Sequence, residues 1–283
     1  MALPLIQLVA FTFMKFQSIG NDFIIADLHR YHKNDAESLQ EKLTDPAMVR
    51  SLCARNTGVG ADCLLIISRS YDNNKVDLLV YNADGSQARN CLNGVRTVAH
   101  YLNAFGSFDS DVTICIGGLN LLCTVSKVYP EEKKADVTTQ VPKSKVLDHL
   151  TVTIDGKDFN GWSASVGNPH FVVLQEGDLK WIEHNGENFQ KLPAFPEGVN
   201  VEFVKTINDH HYEVLVYERG CGITKGCSSG LAAVTRVLRD NGKLEINQKI
   251  TLSMEGGDVV VWVDENNFIF LQATSHFVFK GSF

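Results

Sequence analysis

The chain has 283 residues, is 44% hydrophobic and 21% charged, and carries a formal net charge of −7. That length permits one large domain or two of ordinary size, and the composition is that of a soluble globular protein with ample core. The acidic balance lacks the basic footprint of a nucleic-acid binder, and 7 cysteines, an odd number, point to a reducing cytoplasm rather than a disulfide framework.

Residues 1–13 are apolar. No basic region precedes them and no small-residue cleavage site follows, so a signal peptide is not expected. They fall short of the about 20 residues that a membrane-spanning helix needs. They are expected to form a disordered or strand-like extension, or to precede a natural start at Met14. Residues 16–27 read as a strand with a Gly-Asn turn. Residues 36–55 carry Leu39, Leu43, Val49, Leu52 and Cys53 at helical spacing, and Asp45-Pro46 breaks that helix in two. Residues 62–68 are a second strand, with Cys63 at its start. After the turn Asp72-Asn73-Asn74, residues 76–82 lead as a strand towards Cys91. A hairpin is expected over 112–128 through Gly117-Gly118, with Cys115 and Cys123 as structural residues on it.

The polar run Pro130-Glu131-Glu132-Lys133-Lys134 reads as a surface turn, and residues 135–141 and 150–154 alternate as strands. A short helix follows over 181–189, a loop over 193–196 and a strand over 199–207. His210-His211 falls in a polar stretch and is expected to be solvated. Residues 212–217 lead as a strand to the stretch after Cys227, whose helix ends at Asn241-Gly242. Strands are expected over 250–254, 258–263 and 268–273. Cys221, on a glycine-flanked turn, reads as a bystander. No C-x-x-C pair and no His/Cys cluster at zinc spacing occurs in the sequence, so no metal is expected.

Two stretches repeat. Cys91-Leu92-Asn93-Gly94-Val95-Arg96-Thr97-Val98-Ala99-His100-Tyr101-Leu102 and Cys227-Ser228-Ser229-Gly230-Leu231-Ala232-Ala233-Val234-Thr235-Arg236-Val237-Leu238 share the pattern C-x-x-G-x-x-x-V-x-x-x-L. Each follows a short apolar run ending in tyrosine, Tyr81 or Tyr217, so each unit is strand, turn, cysteine, helix. Ile19-Gly20-Asn21 has a counterpart in Val166-Gly167-Asn168, and Gly58-Val59-Gly60-Ala61-Asp62 in Gly198-Val199-Asn200-Val201-Glu202. Three matches in the same order argue for two copies of one domain; a solenoid wants at least three repeats.

A helix N-terminus carries unpaired N–H groups and a partial positive charge, and it favours thiolate and carboxylate. Two such helices facing one cavity would set two thiols on opposite sides of a carbon. One would take a proton, the other would give one, and the N–H donors would hold the neighbouring carboxylate. Buried inert cysteines and a disulfide are the plainer readings. The repeated placement before the same helix favours function.

These residues resemble the diaminopimelate epimerase family, two-cysteine epimerases that use no pyridoxal phosphate. The motifs are Gly20-Asn21-Asp22-Phe23, Gly58-Val59-Gly60-Ala61-Asp62, Tyr81-Asn82-Ala83-Asp84-Gly85-Ser86, Cys91-Leu92-Asn93-Gly94-Val95-Arg96, Gly167-Asn168-Pro169-His170 and Tyr217-Glu218-Arg219-Gly220 with Cys227. The resemblance implies an α+β fold of two pseudo-symmetric lobes, each a β-barrel-like sheet wrapped around a central helix. Residues 14–129 plus 274–283 would form one lobe and 130–273 the other, with 1–13 as an extension and a last strand around 276–279 returning to the first lobe. It implies conversion of LL- to meso-2,6-diaminopimelate in lysine biosynthesis without a cofactor, and a possible homodimer with neither nucleic acid nor membrane as partner.

By the same resemblance Cys91 and Cys227 are the acid/base pair, and Asn93 and Ser229, with neighbours Leu92 and Ser228, offer backbone N–H groups to the reacting carboxylate. Asn21, Asn82, Asn168, Asn200 and Arg219 match substrate-binding positions, mainly for the non-reacting end, and Glu218 a position near the reacting ammonium. The departures are Leu92 and Ser228 where the family has glycine, Cys63 for a far-end glutamine, Ile223-Thr224 for Glu-Thr, and Ser18 for a glycine. Leu92 is expected to crowd the carboxylate. A racemase of another amino acid, and a thiol sensor or silent binding protein, are the alternative functions.

Overall fold

The computed structural model describes residues 10–72, 74–106, 108–141 and 144–283. The first half runs β1 (Thr12–Ser18), β2 (Asn21–Asp27), α1 (Lys33–Leu43), α2 (Pro46–Cys53), β3 (Cys63–Asp72), β4 (Lys75–Asn82), β5 (Gln87–Ala88), α3 (Leu92–Phe105), β6 (Asp111–Ile116), β7 (Leu119–Tyr129) and β8 (Lys134–Val141). The second runs β9 (Lys145–Ile154), β10 (Lys157–Ser165), β11 (Pro169–Val173), α4 (Leu179–Asn185), β12 (Asn200–Asn208), β13 (His211–Glu218), β14 (Gly222–Ile223), α5 (Ser228–Asp240), β15 (Ile250–Met254), β16 (Gly257–Val263) and β17 (Ile269–Ser282).

In the first half the strands close a ring: β17 to β1, β2, β3, β4, β6, β7, β8 and back to β17. Helix α3 threads it. Every residue from Leu92 to Leu102 is buried, as a helix without a polar face must be. The second half repeats the order in β9, β10, β11, β12, β13, β15, β16 and β17 around α5. The crossovers match too. β2 lies parallel to β3 across α1 and α2, and β11 parallel to β12 across α4; β4 lies parallel to β6 across α3, and β13 parallel to β15 across α5. The duplication read from three short motifs is therefore a duplication of topology, and the fold is α+β. β17 serves both halves: its first residues lie against β16 and β8, its last against β1.

The break at Asp45-Pro46 separates α1 from α2, with the Asp45 side chain accepting from the Ala47 N–H at 2.9 Å. α5 ends at Asn241 and the left-handed Gly242, as expected. Four readings need correction. Residues 16–27 are two strands, β1 and β2, joined through Ile19-Gly20. The strands expected over 268–273 and around 276–279 are one continuous strand, Ile269–Ser282. β10 went unread because its inward positions include Gly161 and Ser163 rather than apolar residues; a Cβ at Gly161 would meet the Phe171 ring at 2.7 Å. His211 is not free in a turn, since it begins β13 and its Nε2 lies 2.7 Å from Ser253 Oγ.

The sheet also takes in residues assigned to the extension. Phe11 and Phe13 are buried, and Phe11 exchanges two backbone hydrogen bonds of 3.0 Å with Phe283. The reading of residues 1–9 lies outside the described residues.

Candidate active site

Each cysteine is the N-cap of its helix, Cys91 on α3 and Cys227 on α5. An N-cap side chain accepts from the N–H two or three residues on. Cys227 Sγ accepts from Gly230 N at 3.4 Å, whereas Cys91 makes no such side-chain capping bond, although the Gly94 N–H helps hold its thiol low. The glycine of C-x-x-G has a steric reason in both copies. A Cβ at Gly94 would stand 3.1 Å from Cys91 Sγ and 3.0 Å from Leu65; one at Gly230 would stand 2.6 Å from Glu202 Oε1. The next N–H groups, those of Leu92, Asn93, Ser228 and Ser229, have no carbonyl of their own helix to reach.

The two helix ends are tied together. Asn93 Nδ2 donates to Gly226 O at 3.2 Å, and Ser228 Oγ donates to Asn93 Oδ1. Ile19, at φ 45°, packs against Gly226 and Gly256, where a Cβ would meet its carbonyl oxygen at 2.3 and 2.0 Å. The turn between β1 and β2 is thus seated on the loop that delivers Cys227. Leu92, expected to crowd a carboxylate, is 3% exposed and packs in the same hydrophobic cluster as Cys63 and Cys227. Asn93 and Ser228 turn their side chains to each other, so what these three positions can offer a ligand at the helix ends is backbone N–H.

The thiols differ in charge preference. A hydrogen bond from Cys63, with help from Gly94 N–H and the Arg96 charge, holds Cys91 below the usual thiol value despite burial and Glu218. Donating that bond keeps the Cys63 thiol protonated; Cys63 Sγ also lies 3.7 Å from Asn82 Oδ1. Burial, then the Glu218 and Glu202 carboxylates, push Cys227 well above the usual value, against hydrogen bonds from Ser229 and Gly230. Glu218 acts on both thiols, so they share one electrostatic neighbourhood. Burial raises Glu218 itself, opposed by hydrogen bonds from Thr224 and Cys227.

The remaining expected residues have their own partners. Asn21 Nδ2 donates to Asp62 at 2.7 Å, and Asn82 Nδ2 to Ser86 Oγ at 3.0 Å. Asn200 Oδ1 accepts from the Arg219 backbone N–H at 2.9 Å, while the Arg219 guanidinium donates to Glu197 O at 2.8 Å. The Asn168 side-chain oxygen is buried without a hydrogen-bond partner. Cys221 is exposed. Sequence reasoning passed over the His170–Glu202 pair, fully buried with Nδ1 2.7 Å from Oε1. Its signal was that both residues lie in the repeated motifs: His170 two residues after Asn168, and Glu202 at the place of Asp62.

A charge cluster fixes Asn21. Asp22 and Asp62 each accept the other's backbone N–H at 3.0 Å, Arg55 bridges both carboxylates, and Lys15 pairs with Asp22 at 2.6 Å. Burial pushes the Asp22 carboxyl up, but Arg55 and Lys15 outweigh it and hold it far below the usual carboxylate range. A depressed carboxylate contributes stability above its unfolded value of about 3.9, and that contribution is lost as pH falls through the folded value. Arg55→Gln is therefore expected to lower the urea midpoint at pH 7, with the deficit shrinking below about pH 4; a deficit that grows in acid would contradict this role.

No helix among the described residues is long and apolar enough to cross a membrane, and no group of three metal-binding side chains occurs among them. The family described as diaminopimelate epimerase matches residues 13–140 and 162–275. The chain is 31% identical to the diaminopimelate epimerase of Geobacillus sp. (strain WCH70), covering 91% of this chain and 93% of the relative. It is 31% identical to that of Bacillus subtilis (strain 168), covering 96% and 98%. It is 29% identical to the chloroplastic enzyme of Oryza sativa subsp. japonica, covering 96% and 80%. In fold it resembles a hydroxyproline epimerase from Agrobacterium vitis, at 13% identity and a TM-score of 0.71 over 97% of this chain and 91% of that one. With the family's motifs spanning both halves, the chain belongs to the diaminopimelate epimerase family.

Proposed function

We propose that the chain inverts one α-carbon of LL-2,6-diaminopimelate to give the meso form, in lysine biosynthesis and in the cytoplasm, with Cys91 as base and Cys227 as acid. The observation that carries the reading is the pair of cysteines capping two helix ends that Asn93 and Ser228 tie together; the direction follows the opposed preference of the two thiols. Cys91 thiolate takes the α-proton, and the C–H electron pair passes into the carboxylate, whose oxygens meet the N–H groups of Leu92, Asn93, Ser228 and Ser229. The Cys227 thiol gives its proton to the opposite face. The chain is left with Cys91 protonated and Cys227 as thiolate, the state that starts the reverse reaction. Glu218 takes the ammonium beside the reacting carbon. Asn21, Asn82, Asn168, Asn200 and Arg219 hold the distant amino-acid end, where a guanidinium suits a carboxylate. The expected assembly is a homodimer, with no nucleic acid or membrane in the reaction.

Incubation of reduced protein with the LL substrate in deuterium oxide is expected to give meso product with deuterium at the inverted carbon. Absence of exchange would sink the proposal. A second reading, a racemase of another amino acid, is favoured by Cys63 at the edge of the site; a panel of L-amino acids in the same solvent tests it, and exchange confined to diaminopimelate removes it.

A further inference from the structure

Arg96 is fully buried in the first turns of α3. Its Nη1 donates to Ser18 Oγ at 3.1 Å and to Asn93 Oδ1 at 3.0 Å, and its Nη2 to Ser228 Oγ at 3.2 Å. All three acceptors are neutral, and Nε has no partner. Among the described residues no carboxylate is paired with Arg96. A buried cation normally carries a counter-charge, because losing one costs several kcal/mol. Its position makes matters worse: the N-termini of α3 and α5, linked through Asn93 and Ser228, already concentrate positive potential. Each acceptor also has a partner of its own. Ser18 Oγ donates to Thr274 O, Ser228 Oγ to Asn93 Oδ1, and Asn93 Nδ2 to Gly226 O. The clasp between the halves therefore keeps a framework without the guanidinium, and the charge is in excess of what joining requires.

We propose that Arg96 is a positioning residue for the reaction: a guanidinium closed in behind the two helix ends, whose counter-charge is the anion of the site, first the Cys91 thiolate and then the substrate carboxylate. The hydrogen bonds to Asn93 and Ser228 put the guanidinium at the first turns of both helices, and the electrostatics agree. Burial brings Arg96 down to about 10, against the influence of Cys123 and Cys91. The groups that act on the Cys91 charge are Cys63 from β3, Gly94 N–H, Glu218 from β13 and Arg96; of these side chains only Arg96 is a cation. The proposal rests on Cys91 being the base.

The test needs no substrate. Reduced protein is treated with iodoacetamide from pH 5 to pH 10, and modification of the Cys91 peptide is followed by mass spectrometry, with exposed Cys221 as internal reference. Removing a nearby opposite charge moves a pKa by about one to three units. Arg96→Met and Arg96→Gln are expected to move the Cys91 midpoint to higher pH, while Cys221 stays in place. Methionine replaces a buried charge by an apolar chain of similar length, a change that is often tolerated; circular dichroism confirms the fold. A folded variant of either kind with the wild-type Cys91 midpoint overturns the proposal, as does failure of both to fold, which would make Arg96 a folding residue only. Wild-type protein that shows the shift in its variants but exchanges no substrate hydrogen would keep the role of Arg96 and remove the reaction proposed above.

Discussion

Cys91→Ser and Cys227→Ser are each expected to cut formation of meso-2,6-diaminopimelate from the LL form by about 10² to 10⁴-fold, the usual worth of a positioned acid or base. That corresponds to about 3 to 5 kcal/mol of lost transition-state stabilisation. The two variants should fail differently. With Cys227→Ser the Cys91 thiolate remains, held by Cys63, Gly94 N–H and Arg96. It can still remove the α-proton, exchange it with solvent and return it to the same face. In deuterium oxide this variant should put label into LL substrate faster than it makes meso product. With Cys91→Ser no thiolate faces that proton, and label should not enter LL substrate at all. Equal loss of washout and inversion in both variants would argue that one base alone does the chemistry and that the second sulfur only packs. Thermal melts separate this from unfolding, since serine differs from cysteine by one atom at a capping position.

Much of this arrangement could be read before any coordinates. The C-x-x-G pair announces itself because it is local: cap, N–H donor and the glycine that makes room all lie within four residues. The duplicated topology was legible for the same reason, since each unit is a strand, a turn and a helix in sequence. What the sequence could not give is what distant segments bring together. Arg96 meets Ser18 and Ser228 at separations of 78 and 132 residues, and nothing local in Gln17-Ser18-Ile19 marks that serine as a partner. The long β17 was split because Thr274, Ser275 and His276 interrupt its apolar alternation, yet Ser275 is buried beside His100 Nδ1 at 3.1 Å.

The inequality of the two thiols was hidden most completely. Their local motifs are alike, and both first-turn glycines do the same work. The difference comes from other strands: Cys63 from β3 beside Cys91, against Glu202 from β12 and Glu218 from β13 beside Cys227. A symmetric repeat thus carries unlike neighbours at its two cysteines, and under the proposed mechanism the direction would come from those neighbours and not from the repeated helix ends.

Glu218→Gln should expose that dependence. Its carboxylate disfavours thiolate at both cysteines, and under the proposed mechanism it also meets the substrate ammonium. Truncating one partner of a buried charge pair costs 2 kcal/mol or more, so kcat/KM is expected to fall by about 30-fold or more. The pH profile carries the sharper test. In the direction from LL to meso, activity needs Cys91 without its proton and Cys227 with it, so the rise in acid and the fall in base report the thiol pair as a whole. Removing the negative charge lowers both thiol values. Cys91 then ionises at lower pH, which moves the rise to lower pH; Cys227 loses its proton at lower pH, which moves the fall the same way. The whole bell should slide towards acid. A variant that loses activity with both limbs in place would assign Glu218 to substrate binding alone, and one whose basic limb moves upward would contradict the charge assignment of Cys227.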